Sequence, residues 1–364
     1  MRPEPIRIVT AEPTSTAPSP GFIAAFREQA GAGGMMSFAR FMDLALYNPG
    51  VGYYATRRRR IGREADTDFF TATSLGPLFG ELVVAACVDL LGQKSPADCA
   101  FVEIGTDQAG EDVSGPSGVL APEKPGAPAV AHPFASIRNI ALGQPLAIPP
   151  VSVVFSNELF DAQPCHRLIR QAGHWREAGV ALKSGALQEA LMPELSPEAK
   201  TVEGRLPLSA PDGYRIDLPF AAKRLAAAIA AKPWTGLFVA FDYGKSWSEL
   251  SEGTPAGTVR AYSRHHQSND LLARPGKQDL TCHVCWDWIS KALTASGFES
   301  PTLESQEAFF VHHAAPALSR LAAAEAARMS ARKLGMMQLL HPGNMGQQFQ
   351  VLWARRKSMP LADP

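Results

Sequence analysis

The feature that most constrains the fold is a set of apolar segments of strand length, each of which ends in polar residues. They are Phe101 to Gly105, Val151 to Ser156 and Leu237 to Asp242. A near-continuous apolar segment of this length is typical of a strand that is covered on both faces, as in a parallel sheet. The sequence therefore predicts an α/β fold built around a mainly parallel sheet.

Helices and a hairpin are predicted around these strands. Apolar residues at three- and four-residue spacing predict two short helices between Gly21 and Leu46, and a third helix over Pro77 to Leu91. An amphipathic pattern predicts a helix over 218–231 that leads into the third strand. Alternating residues between Arg167 and Val180 predict an inserted hairpin.

The chain is expected to divide into three parts. Residues 1–20 are expected to form a disordered tail, residues 21–95 a helical and loop segment, and residues 96–364 an α/β domain with an insertion at about 163–216. The last part is predicted to close with a helix near 316–334 and a strand over 349–353.

Composition narrows the classes of partner. The 35 basic and 35 acidic residues cancel, so neither nucleic acid nor an anionic membrane is expected as a partner. The five cysteines are scattered and odd in number, which favours a reducing compartment over a disulfide framework. The sequence therefore predicts a cytoplasmic protein, with the mitochondrial matrix as the alternative.

Polar residues follow the three predicted strands at the sheet edge where α/β proteins bind ligands. Carboxylates and an amide gathered there could accept hydrogen bonds from a ribose, an amino group or a guanidinium. Each of them could equally cap a following helix. The candidates are Glu103 and Gly105 after the first strand, Asn157, Glu158 and Asp161 after the second, and Asp242 and Tyr243 after the third.

No metal site is predicted. Cys282 and Cys285 have a Cys-x-x-Cys spacing, but no second pair of ligands lies at a suitable spacing nearby. The adjacent histidines at 265–266 and 312–313 are not expected to bind one ion together.

A series of motifs occurs in order between about residue 35 and 353. The motifs are Phe41 to Pro49, Gly52-Tyr53-Tyr54, Asp68-Phe69-Phe70-Thr71, Pro77 to Glu81, Ser156 to Ala162, Phe241-Asp242-Tyr243-Gly244, Gly257 to Tyr262 and Pro275 to Val284. Together they resemble the MidA family of S-adenosylmethionine-dependent methyltransferases.

The resemblance implies a class I methyltransferase fold, which is a Rossmann-like mixed sheet, here with an N-terminal helical extension and an inserted substrate subdomain. It implies S-adenosyl-L-methionine as cofactor and symmetric dimethylation of a protein arginine, with a respiratory complex I subunit as a candidate partner and a homodimer as a candidate assembly. Glu158 and Asp161 are then the expected catalytic carboxylates, with Asn157 orienting them. The expected cofactor-binding residues are Glu103, Gly105, Asp68, Thr71, Asp242 and Tyr243, and Arg260, Tyr262, Asp279 and His283 are expected to line the site.

The sequence departs from the family pattern around the cofactor. The family's Gly-x-Gly-x-Gly loop is reduced to Gly105-Thr106-Asp107-Gln108-Ala109-Gly110, and nine of the 24 residues from Gly110 to Pro133 are Gly or Pro. Proline inside a helix costs about 3 kcal/mol, so no useful helix is expected over 110–133. No acid in this gap follows a strand-like segment. Two functions therefore remain open: an active arginine methyltransferase, or a catalytically silent relative that binds a protein partner.

Overall fold

The computed structural model describes residues 17–55, 75, 77–106, 118–122, 129–264, 266–327 and 329–357. Its helices are α1 Pro20–Ala30, α2 Phe38–Tyr47, α3 Pro77–Leu91, α4 Pro197–Lys200, α5 Phe220–Ala230, α6 Trp247–Glu252, α7 Trp286–Ala295, α8 Gln306–His313, α9 Ala315–Ala324 and α10 Ala331–Leu340. Its strands are β1 Met35–Ser37, β2 Ala100–Thr106, β3 Ser136–Ala141, β4 Val151–Asn157, β5 His166–Gln171, β6 His174–Lys183, β7 Ala186–Leu191, β8 Arg215–Leu218, β9 Thr235–Asp242, β10 Gly244–Lys245, β11 Arg260–Ser263, β12 His266–Ser268, β13 Asp279–Thr281, β14 Val284–Cys285, β15 Thr302–Ser305 and β16 Gln350–Arg356.

The largest sheet has six strands in the order β15-β16-β9-β4-β2-β3. The pairs β3/β2, β2/β4 and β4/β9 are parallel, while β16 is antiparallel to both β9 and β15. The predicted mixed α/β sheet is therefore confirmed. After β2 the chain forms β3 on one side of β2 and then β4 on the other side. The strand order therefore reverses at β2 and β4, and sheets of this kind bind ligands at such a reversal.

Helices cover both faces of this sheet, which explains why its central strands are apolar throughout. On one face Phe101, Phe155 and Phe241 pack with α3, α8, α9 and α10. On the other face alternate residues of the same strands, such as Val102 and Phe238, pack with α5 and α7. Successive strand residues point to opposite faces, so burial of every position requires two helical layers.

The inserted segment forms a second antiparallel sheet in which β5 pairs with β6 and β8, and β6 also pairs with β1 and β7. The predicted hairpin is thus confirmed. Helices α1 and α2 pack on this sheet and on β11 and β13. A buried ion pair joins the insertion to the next loop: Arg167 Nε lies 3.2 Å from Asp217 Oδ1, and Asp217 Oδ2 accepts hydrogen bonds from the Thr258 and Val259 amides.

Three features differ from the sequence-based expectation. Strand β3 was not predicted, because it lies at the sheet edge and its exposed polar residues interrupt the apolar pattern. The single helix predicted near 316–334 is wrong: α9 ends at Ala324, and Ser330 caps a new helix by accepting a hydrogen bond from the Lys333 amide at 3.0 Å. Helix α3, assigned above to the segment 21–95, packs on the large sheet.

None of the helices within the described ranges is both long enough and apolar enough to cross a bilayer.

Candidate active site

The turn that follows β4 carries the central carboxylates of the site. Glu158 directly follows β4, and its amide donates a hydrogen bond to the Phe241 carbonyl of β9 at 2.9 Å. Its φ is +52°, in the left-handed region that non-glycine residues rarely adopt. Such backbone conformations cost of the order of 1–3 kcal/mol and are concentrated at functional sites. The fold thus holds Glu158 in a strained position beside the crossover between β2 and β4.

Asp242, at the end of β9, holds this turn in place. It is fully buried, and its Oδ2 accepts hydrogen bonds from the amides of Phe160 at 2.8 Å and Asp161 at 3.3 Å. Its Oδ1 accepts the amide of Tyr243 at 2.8 Å. Burial, followed by the charge of Asp161, raises the pKa of Asp242 well above its usual range. Asp242 therefore holds the turn in place, because both of its carboxylate oxygens accept hydrogen bonds from backbone amides.

Two oxygen acceptors in the turn have no hydrogen-bond partner among the described residues. Asp161 is 3% exposed, and within the described residues its Oδ1 accepts no hydrogen bond. The same holds for Oδ1 of Asn157, whose Nδ2 donates to Glu158 Oε1 at 3.0 Å. Buried acceptors are nearly always satisfied, so these atoms indicate a ligand that donates hydrogen bonds.

Burial raises the pKa values of both carboxyl groups in the turn, Glu158 and Asp161. Burial and the neighbouring Asp161 charge raise the pKa of Glu158 to about 8, although the hydrogen bond from Asn157 opposes this shift. Burial raises the pKa of Asp161 to about 7. Near neutral pH the site is therefore poised between protonated and ionised forms. An approaching cation would favour the ionised forms.

The N-terminal segment forms one wall of the site. The Tyr54 hydroxyl donates to Asp279 of β13, with distances of 3.1 Å to Oδ1 and 3.3 Å to Oδ2. Tyr47 stacks on Tyr54 at 5.4 Å and donates from its hydroxyl to the Ala162 carbonyl at 2.9 Å. The two tyrosines thus connect Asp279 to the carboxylate turn. The sequence did not identify either tyrosine as a site residue. Both nevertheless lie in motifs of the family resemblance, Tyr47 in Phe41 to Pro49 and Tyr54 in Gly52-Tyr53-Tyr54.

The segment from β11 to β14 forms another wall. The Cys282 amide donates to the Asp161 carbonyl at 2.8 Å, and the Val284 amide to the Tyr243 carbonyl at 2.8 Å. Tyr262 and Tyr243 lie close enough to the turn that the charges of Asp161 and Glu158 contribute to raising their pKa values.

The remaining residues predicted to line the site have other neighbours. Arg260 donates to the carbonyls of Gly257 at 3.2 Å and Val259 at 2.7 Å. Burial, together with the charges of Lys245 and Arg260, lowers the pKa of His283 to about 4. His283 is therefore neutral at physiological pH and lies among basic residues.

The cofactor side of the site centres on β2. Gly105 is exposed with a φ of +93°, and a Cβ at this position would lie 2.8 Å from Leu159 Cδ1. This leaves a narrow backbone cradle of the kind that suits a nucleotide-like ligand. Glu103 is only 6% exposed, and its Oε2 accepts the Val119 amide at 2.7 Å. It thus anchors the segment that follows β2.

The structure describes part of the two regions in which the family pattern would place a helix after β2 and an acid after the next strand. No helix occurs in residues 118–122 or 129–135, the described parts of the connection between β2 and β3. Strand β3 carries no acid and ends at Ala141, whose amide donates to Gln144 Oε1 at 2.9 Å. The cofactor candidates Asp68 and Thr71, and the residues 107–117, lie outside the described residues.

Comparisons with known proteins found a family model and two curated relatives that are similar to this chain. The family model "Putative S-adenosyl-L-methionine-dependent methyltransferase" matches residues 136–303. The protein arginine methyltransferase NDUFAF7, mitochondrial, of Danio rerio is 27% identical over 71% of this chain and 69% of its own length. Its Drosophila melanogaster homologue is 27% identical over 69% of this chain and 65% of its own length.

Solved structures show the same fold. A protein from Burkholderia thailandensis bound to S-adenosyl-homocysteine superposes with a TM-score of 0.76 at 24% identity, over 95% of this chain and 97% of its own. A native crystal structure from the same organism gives a TM-score of 0.72 over 94% and 95% of the two chains, also at 24% identity.

Proposed function

We propose that this chain, a MidA-like S-adenosylmethionine-dependent methyltransferase, transfers the methyl group to a guanidinium nitrogen of an arginine in a protein. The family model describes S-adenosylmethionine-dependent methyltransferases, and both curated relatives carry the name protein arginine methyltransferase. The substrate is the part of this proposal that depends most on the geometry of the site.

The observation that carries the proposal is the set of free acceptors after β4. A guanidinium offers five N–H donors in a fixed plane and accepts no hydrogen bonds. The site offers the complement, because Oδ1 of Asn157 and of Asp161 lack donors within the described residues and Glu158 lies between them in sequence. A planar cation would satisfy these oxygens and offset the repulsion that raises the carboxyl pKa values.

The chain's own residues then have defined tasks. Glu158 and Asp161 would hold the guanidinium and ionise fully as it enters, which would orient one of its nitrogens for the transfer. Asn157 keeps Glu158 oriented through its 3.0 Å hydrogen bond. Asp242 fixes the turn, and Tyr54 fixes Asp279 at the opposite wall.

S-adenosylmethionine, when bound, supplies a methyl group activated by its positive sulfur. Transfer would form the N–C bond as the S–C bonding pair returns to sulfur, and the nitrogen would release one proton. Glu158 or Asp161, ionised beside the guanidinium, could accept that proton, and strong base catalysis is not needed.

The cofactor fits the cradle at Gly105, which a side chain would fill. We place the adenosine part beside Gly105 and Tyr243, with Glu103 and Asp242 supporting the backbone around it. Glu103 acts through its hydrogen bond to the Val119 amide. Asp68 and Thr71 stay predictions of the sequence for the same pocket.

The proposals for the compartment and for the substrate protein rest on the relatives and on the family resemblance, not on the geometry of the site. The relatives are named mitochondrial proteins, which supports the matrix as the alternative to the cytoplasm. All five cysteines are free and buried, as suits either compartment. A complex I subunit as substrate and a homodimer as assembly stay predictions from the family resemblance.

Calorimetric titration with S-adenosylmethionine and S-adenosyl-homocysteine tests the proposal, followed by methyl transfer to arginine-containing proteins. The wild type should bind both ligands, and Glu158→Gln should keep cofactor binding but lose transfer to arginine. The exposed Glu28→Gln is the matched control and should do both. Absence of cofactor binding in the wild type would favour the silent relative instead. Cofactor binding with transfer to lysine alone would refute the guanidinium site.

A further inference from the structure

A cluster of possible metal ligands lies at the far edge of the large sheet, where β15 leads into α8. Glu304 is in β15, and His312 and His313 end α8. One ligand atom from each residue lies within 4.8 Å of the other two. The sequence did not predict that the adjacent His312 and His313 would share one ion, but Glu304 lies near both rings. We propose that these three residues form a site for a divalent transition-metal ion such as Zn²⁺, separate from the methyl-transfer site.

The distances suit such an ion with small adjustments. Zn²⁺ binds imidazole nitrogen and carboxylate oxygen at about 2.0–2.2 Å, so tetrahedral ligand atoms lie roughly 3.3 Å apart. His313 Nε2 is 3.2 Å from Glu304 Oε2, and His312 Nδ1 is 2.5 Å from Glu304 Oε1. The His312 side chain is 61% exposed and can turn to widen the shorter separation.

Supporting contacts around the ligands resemble those of established metal sites. His313 Nδ1 lies 2.9 Å from Asp89 Oδ2 of α3, and the Trp353 indole donates to Glu304 Oε2 at 2.8 Å. Metal-binding histidines usually donate their second nitrogen to a carboxylate in this way, and binding carboxylates accept further hydrogen bonds. The His313 ring is also held between Phe309 and Trp353, each at 5.4 Å between ring centroids.

Asp89 orients the His313 ring toward Glu304. A hydrogen bond from His313 Nδ1 to Asp89 leaves His313 Nε2 facing Glu304 Oε2 at 3.2 Å. This nitrogen and this oxygen therefore already lie at about the separation of two ligand atoms on one tetrahedral zinc ion.

The ligand types define the class of ion. Two imidazoles and one carboxylate favour Zn²⁺, Co²⁺, Ni²⁺ or Cu²⁺ over Mg²⁺ and Ca²⁺, which prefer oxygen ligands. Three protein ligands leave a fourth position for water. The bound ion would connect the end of α8 to the edge strand β15, with α3 supporting it through Asp89.

Calorimetric titration of the full-length, reduced, untagged protein with ZnCl₂ at pH 7.5 tests the proposal. We expect one ion per chain in the wild type and no binding of MgCl₂. His312→Ala should lose at least tenfold in affinity, and Asp89→Asn should lose about 10- to 100-fold because it removes only the support of His313. Asp98→Asn, a change of an exposed acid elsewhere, should keep the wild-type affinity.

Thermal unfolding without zinc controls for the fold. Because His312 is largely exposed, His312→Ala without zinc should melt at the wild-type temperature. Zinc should raise the melting temperature of the wild type and of Asp98→Asn, but not that of His312→Ala. The proposal is overturned if the wild type does not bind zinc, or if His312→Ala binds it equally well. Unchanged affinity in Asp89→Asn would also overturn it, because His313 would then not be a supported ligand.

Discussion

Glu158 should reduce the stability of the protein as pH rises, and its replacement by glutamine should remove that effect. The folded state raises the pKa of Glu158 from 4.5 to about 8. At about 1.4 kcal/mol per pH unit, full ionisation in the folded protein costs at most roughly 4–5 kcal/mol. Because Glu158 is only partly buried, water screens part of this cost, and we expect about 1–3 kcal/mol.

The sign and the pH range follow from the two pKa values. Below pH 4.5 the carboxyl is protonated in both folded and unfolded chains, so it makes no difference to stability. Between pH 4.5 and about 8 the unfolded chain releases the proton that the folded chain keeps, so stability falls as pH rises. Above about pH 8 both states are ionised and the loss is constant.

The assay is thermal unfolding of wild type and Glu158→Gln across this range. The variant keeps an oxygen that can accept the Asn157 hydrogen bond, so mainly the charge is removed. The variant should melt at the wild-type temperature near pH 4.5 and several degrees higher at pH 8.5, taking about 2 °C per kcal/mol for a large domain. Glu28→Gln should show no such growth. A difference that is the same at both pH values, or that favours the wild type at pH 8.5, would refute the burial argument.

Three further substitutions test other parts of the structure. Tyr54→Phe should raise the KM for the protein substrate more than it lowers kcat, because it removes the hydrogen bond from the Tyr54 hydroxyl to Asp279 at the wall of the site; steady-state kinetics with an unchanged KM would contradict this. Asp217→Asn should lower the free energy of unfolding in urea by about 3–5 kcal/mol, because it leaves Arg167 buried without its charge partner. Gly105→Ala should weaken S-adenosyl-homocysteine binding in calorimetry, whereas Gly143→Ala, equally strained at φ +80° but without neighbours, should not; equal effects would show that strain alone is responsible.

The sequence predicted those parts of the fold that depend on burial from two sides. Strands β2, β4 and β9 are apolar at nearly every position because helices cover both faces, and that pattern needs no knowledge of tertiary structure. The edge strand β3 and the break between α9 and α10 escaped prediction for the opposite reason. Edge strands keep polar residues, and a cap such as Ser330 resembles any other serine until its hydrogen bond is seen.

The sequence predicted where the site lies in the sheet, but not what each of its residues does. Residues at the carboxyl ends of parallel strands meet at one edge, so the grouping of Glu158, Asp161 and Asp242 follows from the strand pattern. Their separate roles do not. Only the tertiary structure shows that both oxygens of Asp242 accept backbone amides, while Asp161 keeps one oxygen without a donor in the described part of the chain. Only the tertiary structure brings Tyr54 to Asp279.

The energetic cost of the turn after β4 argues that it serves a ligand. A turn that merely connected β4 to the insertion would be more stable with glycine at position 158, since a φ of +52° strains any side chain. It would also be more stable without two carboxyl groups whose pKa values burial raises to about 8 and about 7. Backbone strain, burial of ionisable groups and oxygens that lack donors among the described residues occur here within five residues, 157–161. A bound cation with several N–H donors relieves the last two costs at once, which is why an arginine side chain explains this turn better than a structural role does.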